Sequence, residues 1–243
     1  MHPIALRTVT LAGMMAVDGT AQAALHDRGG GMIYDDVLHI TWLQDTNYAK
    51  TSLYSGATGI PAWDAMPGAM SWNNAMAWAD QLVYGGFDDW RLPSVKPVNG
   101  NSFNYDFSVD GSTDFGLNIT SPQSELAHLY YVTLGNVGSV TVDGVSTGCS
   151  ACWTNRGPFE NFGAVWGSDY PVFWTSKEYD PWPSSAWVFN GFDGYQSDNN
   201  KNNAYFAWAV RDGDVAAVPE PETYAMMLAG LITLGMAVRR RQG

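Results

Sequence analysis

The chain has 243 residues, of which 46% are hydrophobic, 14% aromatic and 15% charged, and its formal net charge is −12. An acidic surface of this kind excludes nucleic acid and anionic lipid as natural partners, since both would repel it. Its length is enough to bury a real core. In chain order, the first element is an export signal. Arg7 gives a positive start, residues 9–17 are apolar, and Ala21-Gln22-Ala23 is a small-x-small cleavage site. Residues 1–23 are therefore expected to be a signal peptide, cut after Ala23 or Ala24 and followed by a single domain over 24–217. Setting aside Arg7 and Arg239–Arg241 leaves 8 Lys+Arg in that domain. Setting aside Asp18, Glu220 and Glu222 leaves 21 Asp+Glu, a net charge of about −13. Divalent cations and cationic polymers are partners that such a surface permits.

Within the domain, residues 32–34 and 37–43 read as two strands turned by Asp35-Asp36. A long loop over 44–69 is punctuated by Gly56, Gly59, Pro61, Pro67 and Gly68. The clearest helix follows. Ser71 caps it, Trp72, Ala75, Met76, Ala79, Leu82 and Val83 share one face, and Gly85-Gly86 ends it. After a second loop-like stretch over 94–120, another helix starts at Ser121 with Pro122 in its first turn. Leu126, Leu129, Tyr130 and Leu134 line its face and Gly135 stops it. Residues 139–142 are a short strand candidate in an otherwise loop-like region. The last third is β-like: 172–175, 186–189 and 205–211. The last of these alternates, with Phe206, Trp208 and Val210 on one side. Two main helices, short aromatic-rich antiparallel strands and long loops make an α+β domain. With 11 Trp in the chain, most rings are expected to fill a small core. The alternative is that some line a groove and stack on sugars.

The two cysteines, Cys149 and Cys152, stand in a Gly/Ser/Thr-rich loop. In an exported protein a disulfide is the first expectation. Free thiols and a redox pair are the alternatives; the redox reading lacks the strand-to-helix setting such a pair normally has. Zinc would need two further ligands nearby, and none is clustered there.

The tail reads Val218-Pro219-Glu220-Pro221, then the uncharged run 224–238, then Arg239-Arg240-Arg241. The apolar run has fifteen residues, against about 17–20 for a permanent span. The arginines would stay on the cytoplasmic side. An ordinary tail anchor is one reading. The order of motif, apolar helix and arginine cluster resembles the PEP-CTERM signal of Gram-negative bacteria. That resemblance implies export through the general secretion machinery, transient inner-membrane insertion through 224–238, and recognition by an exosortase that cleaves residues 218–243 away. It also brings in exopolysaccharide, since exosortase systems accompany exopolysaccharide loci.

A second resemblance covers about residues 31–212. It rests on Asp35-Asp36-Val37-Leu38-His39-Ile40-Thr41-Trp42, the helix from Ser71, Trp90-Arg91-Leu92-Pro93-Ser94, Phe173-Trp174-Thr175-Ser176, Gly194-Tyr195-Gln196, the Asn run 199–203, and Trp208-Ala209-Val210-Arg211. In order and spacing these resemble the Lcl C-terminal domain family, which is related to the C-type lectin-like fold. The resemblance implies a compact α+β domain whose loops carry any binding site. Some members of the family bind glycosaminoglycans, but a domain of this charge is a poor match for a polyanion. The motifs also have structural explanations. Arg91 pairs with a carboxylate or stacks on a ring, Trp174 and Trp208 pack in the core, and the asparagines cap turns with their own side chains.

No catalytic constellation is legible, and the chain is read as non-enzymatic. His26, His39 and His128 have no recognisable nucleophile or acid beside them. Calcium is the cofactor the sequence would most readily hold, through Asp193, Asp198 and Asn199 in one loop, with Asp106, Asp110 and Asp114 in another. Plain Asx turns explain the same residues, and the Glu-Pro-Asn and Trp-Asn-Asp motifs of sugar-binding lectins are absent. A surface binding module for polysaccharide, a structural component of an exopolysaccharide layer, and an enzyme are the three classes of function left open. A binder should expose a row of aromatic rings on loops such as 94–120 or 153–187.

Overall fold

The computed structural model describes residues 25–54, 66–149, 151–163 and 170–215. The fold is α+β, mostly strands with few helices. Among the described residues, eleven strands form two sheets. The smaller sheet has the order β1 (Leu25–Asp27), β2 (Met32–Asp35), β3 (Ile40–Leu43) and β11 (Val210–Asp212), all antiparallel. The larger runs β4 (Ala69–Met70), β10 (Tyr205–Phe206), β7 (Val172–Glu178), β8 (Ser185–Asn190), β9 (Tyr195–Asn200), β6 (Phe115–Gly116) and β5 (Phe107–Ser108). Its β10–β7 and β5–β6 pairs are parallel.

The alternating run 205–211 is not one strand. Tyr205 and Phe206 pair with β4 and β7, and Val210 to Asp212 pair with β3 in the other sheet. Ala207, Trp208 and Ala209 cross between the sheets and are fully enclosed on both sides. Alternation therefore fails as a guide to facing here, because two sheets close on one segment. The crossing is fixed by the Leu43 amide donating to the Ala209 carbonyl at 3.0 Å. The Trp208 indole N–H donates to the Leu43 carbonyl at 2.7 Å. Around Trp208 lie Trp42 and Phe159, each with ring centroids 4.7 Å away, and Phe173 at 5.3 Å.

Strand β9 takes in the first two of the asparagines expected to form turns, Asn199 and Asn200; the turn itself follows over 201–203, where the Asn200 side-chain oxygen accepts from the Asn202 amide at 3.0 Å. Its sequence is polar, and on propensity alone it would not be a strand. It forms because β8 pairs with all six of its residues, from Ser185↔Asn200 to Asn190↔Tyr195, and β6 meets it at Gln196.

The first long helix, α2 (Trp72–Asp80), is capped by Ser71, whose side chain accepts from the Asn74 amide. It is preceded by a single turn, α1 (Tyr48–Thr51), inside the expected loop. The helix ends earlier than expected. Leu82 is buried, but Val83 is 71% exposed, and Trp78 takes its place on the inner face. Gly85-Gly86 does not cap the helix. Both residues have positive φ, and the Tyr84 and Phe87 amides and carbonyls bond reciprocally across them, which makes a two-residue hairpin turn. The second helix starts at the Ser124 cap rather than at Ser121. It is α3 (Glu125–His128), continuing as a π-helical turn over Leu129–Thr133. Leu126, Leu129, Tyr130 and Leu134 are all buried. The expected signal peptide 1–23, the motif 218–221, the apolar run 224–238 and Arg239–Arg241 lie outside the described residues. Among the described residues no helix is long and apolar enough to cross a membrane.

Candidate functional site

The segments carrying Trp90-Arg91-Leu92-Pro93 and Trp208-Ala209-Val210-Arg211 lie side by side. The Arg91 and Val210 amides each donate to the other's carbonyl at 2.8 Å. This pairing exchanges charges across the two segments. Arg211 binds the Asp89 carboxylate at 2.7 and 2.9 Å and lies 4.0 Å over the Phe87 ring. Arg91 donates to both Glu125 oxygens at 2.8 Å and to Asp212 at 2.5 Å. Burial works against the Arg91 charge, but Glu125 and Asp212 outweigh it and hold its pKa above the ordinary value. The Arg211 guanidinium holds the Asp89 carboxyl below its usual range. Trp90 and Leu92 are buried, and the Pro93 carbonyl accepts from Ser176 at 2.8 Å, which ties the segment to β7. Trp174 is enclosed, with its indole N–H on the Met70 carbonyl at 2.8 Å. These motif residues hold the two sheets and α3 together.

The second concentration of aromatic rings lies away from that core. The loop 98–117 is anchored by Asp114, a fully buried carboxylate that accepts from the Val98 and Asn104 amides at 2.7 Å each. Gln196 of β9 donates to the Asp114 carbonyl at 2.8 Å. Gly116 is required where β5 and β6 meet, because a Cβ there would run into the Ser108 carbonyl, and its φ is +148°. Anchored in this way, the loop lays its rings on β7, β8 and β9. Phe103 and Tyr105 stack near-parallel to the buried Trp187, at 5.6 and 6.1 Å between centroids. Tyr179 meets Trp187 at 5.0 Å and Trp182 at 5.7 Å. Phe115 links Trp187 to Tyr195 at 6.0 and 5.5 Å, and Tyr195 reaches Phe107 at 5.9 Å.

The result is one continuous strip of eight rings. Its two ends are open: Trp182 is 61% and Phe107 59% exposed. Polar groups edge it. Lys177 lies 5.5 Å over Phe103 and binds Asp180 at 2.5 Å, and the Tyr105 hydroxyl donates to Asp180 at 3.2 Å. Burial and the Asp180 charge push the Tyr105 hydroxyl up to about 12, so it remains a donor at any physiological pH. Lys177 holds the Asp180 carboxyl low. The pattern Phe103-x-Tyr105-x-Phe107 is the sequence signal for this strip. Its alternation within a polar, Asn- and Ser-rich loop marks rings that share one side.

The three residues considered for calcium are not gathered round one point. The Asp193 carboxylate lies in the turn before β9 and accepts from the Tyr195 amide at 3.1 Å, while Asp198 lies within β9, three residues (about 10 Å at strand spacing) past Tyr195. Asn199 donates to the Tyr205 hydroxyl at 2.8 Å and accepts from the Asn200 amide at 2.9 Å. Of the other loop, Asp114 is the anchor described above, and Asp110 closes a turn on Ser112. Among the described residues no group of three or more His, Cys, Asp or Glu is arranged to hold a metal ion. Cys149 and Cys152 are joined as a disulfide with Cα atoms 5.4 Å apart, next to Trp153, which packs on Tyr130 at 5.2 Å.

The PEP-CTERM protein-sorting motif family matches residues 217–241. No curated protein and no solved structure matches the chain. The motif implies exosortase-dependent export and a surface-directed protein, with the exosortase as processing partner.

Proposed function

We propose that the domain is a non-catalytic binding module, C-type lectin-like in its use of loops, that holds a polysaccharide at the surface to which its sorting signal directs it. The observation that carries this reading is the aromatic strip. Pyranose rings present flat C–H faces, and exposed aromatic faces offer them a large apolar contact area. The strip runs between exposed Trp182 and exposed Phe107 on the loops where a binder would need it. Exopolysaccharide is the partner class we favour because the tail calls for an exosortase. In this reading, helix 224–238 enters the inner membrane only in transit, before the tail is removed.

A purely structural role is favoured by a different observation. Six of the eight rings are buried or half-buried and pack on one another. The deciding experiment is a binding screen of the full chain in detergent against the producer's exopolysaccharide, with calcium and with chelator. Saturable binding that is weakened by Trp182→Ala supports the strip. Binding lost on chelation would instead place calcium at the contact. No binding in either condition sinks the module reading and leaves the structural one.

A further inference from the structure

A cleft of about 430 Å³ opens beside the Arg91 ion pairs. This lies within the range of small-molecule sites. One wall is Arg91 held between Glu125 and Asp212, one cation against two carboxylates, which leaves one negative charge over at the rim. The rest of the cleft is different. Ser94, Lys96 and Gln123 line it from two separate segments, and among the described residues none of their side chains has a hydrogen-bond or ion-pair partner. His39 completes the set. It is a non-glycine residue held at φ 55°, and its Nδ1 meets the Tyr34 hydroxyl at 3.2 Å, which fixes the ring and leaves Nε2 available. Backbone held in that sparsely populated region is a recurrent feature of functional sites. Unpaired polar groups that converge on a concavity, beside a residue held in a rare conformation, point to a ligand.

The chemistry of these groups narrows the ligand. Lys96 is a single unpaired ammonium, so it matches one negative charge. A phosphate dianion would sit against the Asp212 carboxylate, whose side chain is 79% exposed at the rim, and would be repelled. That same carboxylate is a good acceptor for a hydroxyl. Ser94, Gln123 and His39 are neutral groups suited to further hydroxyls. We propose that this cleft binds a small polyhydroxylated monocarboxylate, with its carboxylate on Lys96 and its hydroxyls on Ser94, Gln123, His39 and the free edge of Asp212. The proposal does not depend on the aromatic strip, which shares no residue with the cleft.

The test is calorimetric titration of the full chain in detergent with gluconate, and separately with acetate, glucose and inorganic phosphate. Gluconate is expected to bind saturably, with acetate and glucose at least about tenfold weaker, because each lacks half of the recognised groups. Lys96→Gln removes an exposed ammonium that anchors nothing else, so the fold should be unaffected. It is expected to weaken gluconate about tenfold or more. His39→Gly, which suits the backbone conformation, should weaken gluconate to a smaller extent. Trp182→Ala should leave gluconate unchanged while lowering polysaccharide binding, which separates this proposal from the preceding one. The proposal is overturned if gluconate shows no saturable binding, if acetate or phosphate binds as well as gluconate, or if Lys96→Gln binds gluconate like the parent chain.

Discussion

The rings around Trp208 and the strip from Trp182 to Phe107 are built from the same residue types, yet they differ in what closes over them. Trp208 lies where two sheets meet, so side chains from both sheets and from the 159–162 segment enclose it, and its indole N–H has the Leu43 carbonyl as partner. The strip is closed by β7, β8 and β9 beneath and by one loop above, so its middle is covered and its ends are not. Burial of an aromatic ring therefore follows from the number of elements that converge on it, more than from its identity. The first group should carry stability and the second should carry contact with a partner.

The sharpest way to break that contrast is Trp208→Ala. It leaves a large cavity between the sheets and orphans the Leu43 carbonyl, so a loss of about 3–5 kcal/mol in urea unfolding is expected. A loss below about 1 kcal/mol would mean that the core can collapse around the gap and that the two regions do not differ. Arg91→Ala should come next, at about 3 kcal/mol, because it leaves Glu125, nearly enclosed, without its cation. Arg91→Lys should recover part of this, since an ammonium cannot make the paired bonds to both Glu125 oxygens. A full recovery in Arg91→Lys would show that the planar fork is not what matters, and equal losses would show that the charge alone restores nothing.

Much of this was legible in the chain. The apolar spacing of residues 72–82 and 126–134 marks both helices, and β-branched and aromatic runs mark β2, β3, β7 and β8. What was not legible shares one physical cause, tertiary context overriding local preference. β9 is polar and becomes a strand only because β8 and β6 offer ladders on both sides. Residues 205–211 alternate like one strand, but they belong to two sheets. The Gly85-Gly86 pair is a stop signal by composition and a hairpin turn by its bonds. For the sites, Phe103, Tyr105 and Phe107 could be seen as a spaced trio. Their partners Tyr179, Trp187 and Tyr195 could not, because nothing local says that the loop folds back on that sheet. The cleft was illegible for the same reason: His39, Lys96 and Gln123 come from separate segments, and no spacing rule connects them.

Smaller effects test the buried polar groups next to the core. His128 is buried with Nδ1 unpaired; burial lowers its pKa, and the Asp35 charge opposes that only in part. The folded state therefore favours the neutral ring. Below the unfolded value of 6.5 the unfolded chain takes up a proton that the folded chain resists, so stability is present above that pH and lost as pH falls. The slope cannot exceed about 1.4 kcal/mol per pH unit. Urea midpoints at pH 7.5 and 5.5 should fall with pH for the parent chain and flatten in His128→Leu. Asp35, raised by its own burial, carries the opposite sign: stability is lost as pH rises above its unfolded value of 3.8. An unchanged slope in His128→Leu would show that other groups set the acid sensitivity.

The smallest effect on stability should come from Trp182→Ala, and there the contrast becomes a test of function. Trp182 sits between Pro181 and Pro183 in the turn joining β7 to β8. Its amide donates to the Tyr179 carbonyl at 3.0 Å, and its own carbonyl accepts from the Ser185 amide at 2.8 Å. The flanking prolines and those two backbone bonds define the turn, and none of them needs the indole. Replacing it should move the unfolding free energy by no more than about 0.5 kcal/mol. The same change removes the most exposed ring of the strip, and losing one stacking contact should weaken polysaccharide binding about three- to tenfold. Phe107→Ala at the other end should act alike, and the double variant should be close to additive because the two rings do not touch. A fall in stability with binding intact would mean that Trp182 serves Tyr179 and the covered middle of the strip, which would join the strip to the core as packing rather than as a contact surface.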